Sequence, residues 1–231
     1  MHVDRAIERL VSGPLELAGP FAATPSAGEP EMILRTSIKC WPVEYHAQSA
    51  VEAALKLRRE FTDAAEIESV LIQSHDAAVD IIGSEPEKWR PLSRETADHS
   101  LPYITAAALM DADVTQATFA PERYTDPILL NLVQRVTVAR HPELSAMYPG
   151  AVGNIVTVKL HGGRTIQQRV DHASGHAMNP MSDAAVEVKF HTMANPLLGR
   201  ERAERLLKWV WQLDQVADVA ELFPLMEVPP A

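Results

Sequence analysis

The chain has 231 residues, 46% of them apolar and 23% charged, enough to bury a core as one large or two small domains. Thirty-one acidic residues against 21 Lys and Arg give a net charge of -10, which argues against a nucleic-acid partner but leaves room for a few cations focused on an anionic substrate. A single cysteine, Cys40, excludes a disulfide framework and a cysteine metal site, and no apolar run approaches the ~20 residues that span a bilayer.

Residues 1–17 pattern as a short amphipathic helix with Val3, Ile7, Leu10 and Val11 on one side. Asp4, Glu8 and Glu16 break any secretory pattern, so the expected compartment is the cytosol. Residues 19–30, rich in Gly, Pro, Ala and Ser, form a connector, and residues 32–38 pattern as a strand that Pro42 stops. Residues 47–61 carry a helical apolar stripe, from Ala47 and Ala50 to Leu55 and Phe61. Residues 67–74 follow as a strand, with His75 and Asp76 a turn or cap behind it.

A proline-containing loop at residues 85–94 leads into Arg94-Glu95-Thr96-Ala97-Asp98-His99-Ser100-Leu101-Pro102-Tyr103. The expected structure is one helix capped by Asp98, with a polar first turn and an apolar body ending near Met110. Residues 115–126 are irregular or short helical, and Pro127 opens another helix. Residues 133–140 pattern as a strand. Residues 155–160 and 165–170 alternate with period two around Gly162-Gly163, the pattern of a hairpin.

Residues 171–181 form a loop, and Ser182 caps a helix with Val186, Phe190 and Met193 inward, ended by Pro196. A last helix at residues 200–213 turns Ala203, Leu206, Leu207, Val210 and Leu213 inward before a fraying tail from Glu221. The order of elements is that of an α+β fold with a partly or wholly antiparallel sheet. There is no P-loop, dinucleotide fingerprint or nucleophile elbow.

Three segments carry side chains suited to chemistry. Lys39 and His46 flank Trp41-Pro42, where an amine could hold a carboxylate and an imidazole could move a proton; a surface lysine and a capping histidine fit the same spacing. His99 and Tyr103 stand four residues apart, as an acid and a base on one helical face would; a buried phenol bonded to a loop carbonyl fits equally. His172 and His176 lie in a stretch that matches no zinc spacing and reads as a mobile loop closing over a site. His141 and His161 occupy turn-like settings without a specific role.

The blocks 39–54, 94–103 and 175–190 resemble, in order, the MmgE/PrpD family, which includes 2-methylcitrate dehydratases and cis-aconitate decarboxylases. The resemblance covers roughly residues 30–195 and the C-terminal portion of the family only. It divides the chain into an N-terminal helix and connector (1–30), an α+β domain (31–215) and a tail (216–231). It implies a cofactor-independent lyase acting on a tricarboxylate, with no metal, no nucleic acid and no membrane partner. Lys39, His46 and Tyr103 then face the cleft as catalytic positions, with His99 and Arg94 as substrate-binding positions. It further implies a homodimer, and a helical half supplied by another polypeptide. A sheet domain that normally packs against such a half is expected to expose an apolar patch; the alternative to a lyase component is a non-catalytic binding or interaction domain derived from the family.

Overall fold

The computed structural model describes residues 35–228, in which ten α-helices surround one four-stranded sheet. The expected helix at 1–17, the connector and most of the strand expected at 32–38 lie outside the described residues, and residues 35–38 are not strand.

The sheet has the order β2-β1-β3-β4, with β1 Ile67–Ser74, β2 Val136–Arg140, β3 Asn154–Leu160 and β4 Thr165–Val170. β1 runs parallel to β2 and antiparallel to β3, and β3–β4 is the expected hairpin. The α+β expectation therefore holds with a mixed sheet. Period-two alternation gives the sheet one dry face: Val70 and Ile72 of β1 pair with Val158 and Val156 of β3, and all four are buried. The other face presents Gln73, Thr137, Thr157 and Gln167.

Two helices cover the dry face. The first, α1 (Gln48–Leu57), packs on β3 and β4. α2 (Asp76–Ile82) and α3 (Arg94–Asp98) are short. α4 (Leu101–Asp111) packs on α1 and β2, and every residue from Leu101 to Leu109 is buried. An apolar helix without a polar face can be stable only in such a position.

The segment leading into α4 departs from the expected single helix. Ser93 caps α3, its hydroxyl accepting from the Thr96 amide at 3.1 Å, and Ser100 caps α4 by accepting from the Tyr103 amide at 3.1 Å. Asp98 closes α3 instead of capping α4. Pro102 is the reason: inside a continuous helix its ring would strike the preceding turn, whereas in a first turn its missing N–H has no partner to lose. His99 thus lies between helices and shares no helical face with Tyr103.

α5 (Pro121–Tyr124) and α6 (Pro127–Val133) follow. Val133 is the last residue of α6, capped at its start by Asp126, so β2 begins three residues later than the alternation suggested. α7 (Pro142–Met147) precedes β3.

α8 (Asp183–Leu198) is capped by Ser182 and runs through Pro196 to Gly199, whose φ of +74° releases the chain. α9 (Arg200–Trp211) packs on α8, and α10 (Leu222–Met226) packs on α9 where a fraying tail was expected. Within this hairpin only Ala203 and Leu206 are buried. Met193, Val210 and Leu213, expected inward, are exposed, as are Trp211 and Phe223.

Residues 171–181 are fastened, not the free loop expected. The Gly175 carbonyl accepts from the Ile38 amide at 2.8 Å, and its amide donates to the Asn179 carbonyl at 2.9 Å. The Ser174 amide donates to Glu52 Oε2 at 2.7 Å. Gly175 has φ +88°, and a Cβ there would fall 2.0 Å from the Ile38 carbonyl oxygen. Gly175→Ala is therefore expected to destabilise the fold by at least about 2 kcal/mol, read as a lower urea midpoint at unchanged slope.

Candidate functional site

Residues 37–47 form an irregular strap held from three sides. From α1, Gln48 Oε1 accepts from the Cys40 and Trp41 amides at 3.1 and 3.2 Å, while its Nε2 donates to the Trp41 and Val43 carbonyls at 2.9 and 3.3 Å. From α3, the Asp98 carbonyl accepts from the Glu44 amide at 3.0 Å. From the 171–181 segment comes the Gly175 bond. The three blocks singled out in the sequence are thus joined by hydrogen bonds to one strap.

At the end of this strap Glu44 grips His46 twice. Its Oε2 accepts from the His46 amide at 2.7 Å, starting the 3-10 turn Tyr45–Ala47, and its Oε1 stands 2.8 Å from His46 Nδ1. A carboxylate on Nδ1 makes that nitrogen the donor and leaves Nε2 as the acceptor of the neutral ring. Burial pushes the Glu44 carboxyl up, but hydrogen bonds and charge from His46, helped by Lys39, outweigh it and hold the group below the usual carboxylate range.

Below His46 lies His75, directly after β1. Its Nδ1 accepts from the Ala78 amide at 3.4 Å and caps α2, the role the sequence suggested. The ring is fully buried, and Nε2 has no hydrogen-bond partner. The two imidazole centroids are 5.1 Å apart, and Tyr148 stacks on His75 at 4.6 Å with 13° between planes. Desolvation, reinforced by the charge of His46 and opposed by Glu44 and Asp76, pushes the His75 pKa down to about 4. Asn154, opposite Ser74 in the sheet, donates to the His46 carbonyl and to Ser49 Oγ, each at 2.8 Å, and Ser49 donates to the Val152 carbonyl at 2.6 Å. The cluster occupies the end where parallel β1 and β2 finish, the position at which α/β sheets commonly collect ligands.

Glu44 pairs with His46, and Lys39 is linked to them through its charge alone. Lys39 is exposed, and its charge acts on the Glu44 carboxyl. His99 is half-exposed, with Nδ1 2.6 Å from Asp98 Oδ1, next to the carbonyl that holds Glu44. Arg94 is exposed and bonded to Gln116 Oε1. Tyr103 stands elsewhere: it is fully buried, and its hydroxyl donates to the Thr118 carbonyl at 2.7 Å. Desolvation raises its pKa far above the ordinary phenol range. The buried-phenol arrangement is the one observed. The rings of His172 and His176 lie 4.6 Å apart with 39° between their planes, and no group of three or more His, Cys, Asp or Glu side chains among the described residues has metal-binding spacing.

Glu44, His75, Tyr148 and Asn154 escaped the sequence reading as site residues. Glu44, two residues before His46, carried the one local signal; the others reach the cluster only through sheet register and the turn before β3.

Two outcomes follow from these environments. An unfolded histidine takes its proton near pH 6.5, and folded His75 does so near 4. Its contribution to stability, at most about 3 kcal/mol, is complete above pH 6.5 and lost as the pH falls toward 4. His75→Asn, which preserves a helix cap, is expected to flatten that part of the stability–pH curve measured by urea unfolding. Tyr103→Phe is expected to cost about 1–2 kcal/mol by stranding the Thr118 carbonyl, read as a lower urea midpoint.

The chain is similar to known proteins of one family. The chain is 32% identical over 146 residues to 2-methylcitrate dehydratase of Salmonella typhimurium, covering 59% of this chain and 30% of that protein. Against 2-methylcitrate dehydratase of Cupriavidus necator the identity is again 32%, with 59% and 29% covered. Against cis-aconitate decarboxylase of Mus musculus it is 27% over 139 residues, covering 60% of this chain and 28% of that enzyme. The matches thus span about 30% of the length of these relatives. Residues 41–215 match the MmgE/PrpD C-terminal domain, Lys39 lying just ahead of the match, and the chain belongs to the MmgE/PrpD family.

Proposed function

We propose that this chain is a component of a cofactor-independent lyase that removes water from a 2-methylcitrate-like tricarboxylate in the cytoplasm, as a step of propionate metabolism. The observation that carries the reading is the Glu44–His46 pair beside Lys39, in a family whose similar members bear the names of dehydratases and a decarboxylase of such acids.

Dehydration next to a carboxylate needs a base for the C–H proton, an acid for the departing hydroxyl, and cations for the carboxylates. Glu44 holds His46 with Nε2 free to take the proton, and Lys39 supplies a positive charge for a carboxylate. As the C–H electrons form the double bond, the C–O bond breaks and the hydroxyl leaves with a proton from a further acid. That acid and additional cations belong, in this reading, to a helical portion supplied by a partner polypeptide, the whole assembling as a dimer. Tyr103, bonded to Thr118, takes no part in proton transfer here. The exposed apolar side chains of α8, α9 and α10 favour a partner of that kind, since a surface of this sort ordinarily marks an interface.

The test is 2-methylcitrate dehydration followed by ultraviolet absorbance of the unsaturated product. The chain alone is expected to show negligible turnover and to gain it with the helical partner. In the reconstituted complex His46→Gln should lower kcat/KM by about 10²–10⁴-fold, and Lys39→Ala should raise KM. Strong turnover by the isolated chain contradicts the shared site; full turnover by the His46→Gln complex contradicts the assignment of the base and favours a non-catalytic interaction domain.

A further inference from the structure

His75 is a buried imidazole that the proposed mechanism does not use, and its hydrogen bonding is opposite to that of His46. The Ala78 amide points at Nδ1 of His75, so a proton placed on Nδ1 would set two N–H groups against each other. The ring therefore holds its one proton on Nε2. His46 is constrained in reverse: Glu44 sits on Nδ1, so its proton is there and the lone pair is on Nε2. A second proton has an unobstructed place on His46 and an obstructed one on His75. The groups around His75 reinforce this. On its own helix Asp76 is engaged by Arg140 at 3.0 Å, and from the strap come Glu44, already committed to His46, and His46 itself. The uncharged ring of Tyr148 stacks on His75 and also lies beside His46, its centroid 5.9 Å from that imidazole.

We infer that His46 and His75 are a tautomerically opposed pair in which His75 is a positioning residue, fixed neutral beneath His46 so that His46 alone takes up a proton. The arrangement has a physical purpose. Two imidazoles 5.1 Å apart would share and repel a second charge; obstructing one assigns the proton to the ring that carries a carboxylate behind it. The stack on Tyr148 and the tilt against His46 also fix the plane of the lower ring, which backs the upper one. Its use in dehydration rests on the function proposed above; the tautomers themselves do not.

The experiment is long-range proton–nitrogen NMR of the full chain labelled with 15N-histidine, with signals assigned from His46→Gln and His75→Asn. At pH 7 His75 is expected as the Nε2–H form and neutral His46 as the Nδ1–H form. Between pH 8 and 5 the His75 pattern should stay neutral. Glu44→Gln should mix the His46 tautomers and leave His75 unchanged. An Nδ1–H form of His75, or a His75 that becomes the cation between pH 8 and 5, overturns the pair. In the reconstituted enzyme His75→Asn should lower kcat about tenfold per folded molecule at unchanged KM. A purely structural residue would reduce only the folded fraction, and unchanged kcat overturns the positioning role. Failure of turnover in the wild-type complex would count against the proposed function and leave the NMR result standing.

Discussion

A single amide side chain holds the site together. Gln48 is nearly sealed from solvent at the first turn of α1, and all of its hydrogen-bonding is spent on the strap: two backbone amides on its oxygen, two carbonyls on its nitrogen. The strap contains Pro42 and has no strand partner, so its polar backbone would otherwise have to be left in water or stranded. With Gln48 in place it can lie against the core. Lys39 then projects at one end and Glu44 at the other. A leucine of similar volume would fill the same space and take the partner from the Cys40 and Trp41 amides and the Val43 carbonyl, the Trp41 carbonyl keeping only the Val43 amide, which is why a polar side chain occupies this buried position.

The rest of the site continues that economy of satisfied polar groups. The Asp98 carbonyl, freed because α3 stops before Pro102, becomes the acceptor for Glu44. The Gly175 carbonyl is available to Ile38 because a glycine allows the close approach. Asn154 and Ser49 tie the strap's last turn to the end of β3. α1, α3, β3 and the 171–181 segment thus each supply a group that holds the strap, and the chemistry of the cluster follows. Glu44 can orient His46 because its backbone is anchored, and His75 can remain neutral because β1 and α2 bury it. His75 Nε2 and Asn154 Oδ1 are buried without a hydrogen-bond partner, so the rigidity of this network comes from its paired members.

Local pattern made part of this legible. The stripe of residues 47–61 contains α1, the alternation of 67–74 is β1, and the Gly-Gly pair joins β3 to β4. Lys39 and His46 were recognisable because a compact run of Lys, Trp, Pro, Glu, Tyr and His is unusual ahead of an apolar helix. Other features depended on distances that no local pattern carries. Tyr103 has the spacing of a site residue, but Pro102 breaks the helix before it and turns the phenol inward to Thr118. His75 reads as an ordinary cap, which it is; only the fold sets it beneath a second imidazole. Tyr148 and Asn154 enter through a turn and a strand register. On α9 the apolar periodicity placed Ala203 and Leu206 inside, as expected, but Met193 of α8 and Val210 of α9 are exposed, so burial could not be inferred from period alone.

Hydrogen exchange at the strap amides tests the central claim most directly. If Gln48 and the two carbonyls hold the strap as one unit, the amides of Ile38, Cys40, Trp41 and Glu44 exchange slowly with closely similar opening free energies, and Gln48→Leu accelerates the set of four together. Four amides exchanging independently near the rates of an open loop, or a Gln48→Leu strap as protected as the original, would contradict it.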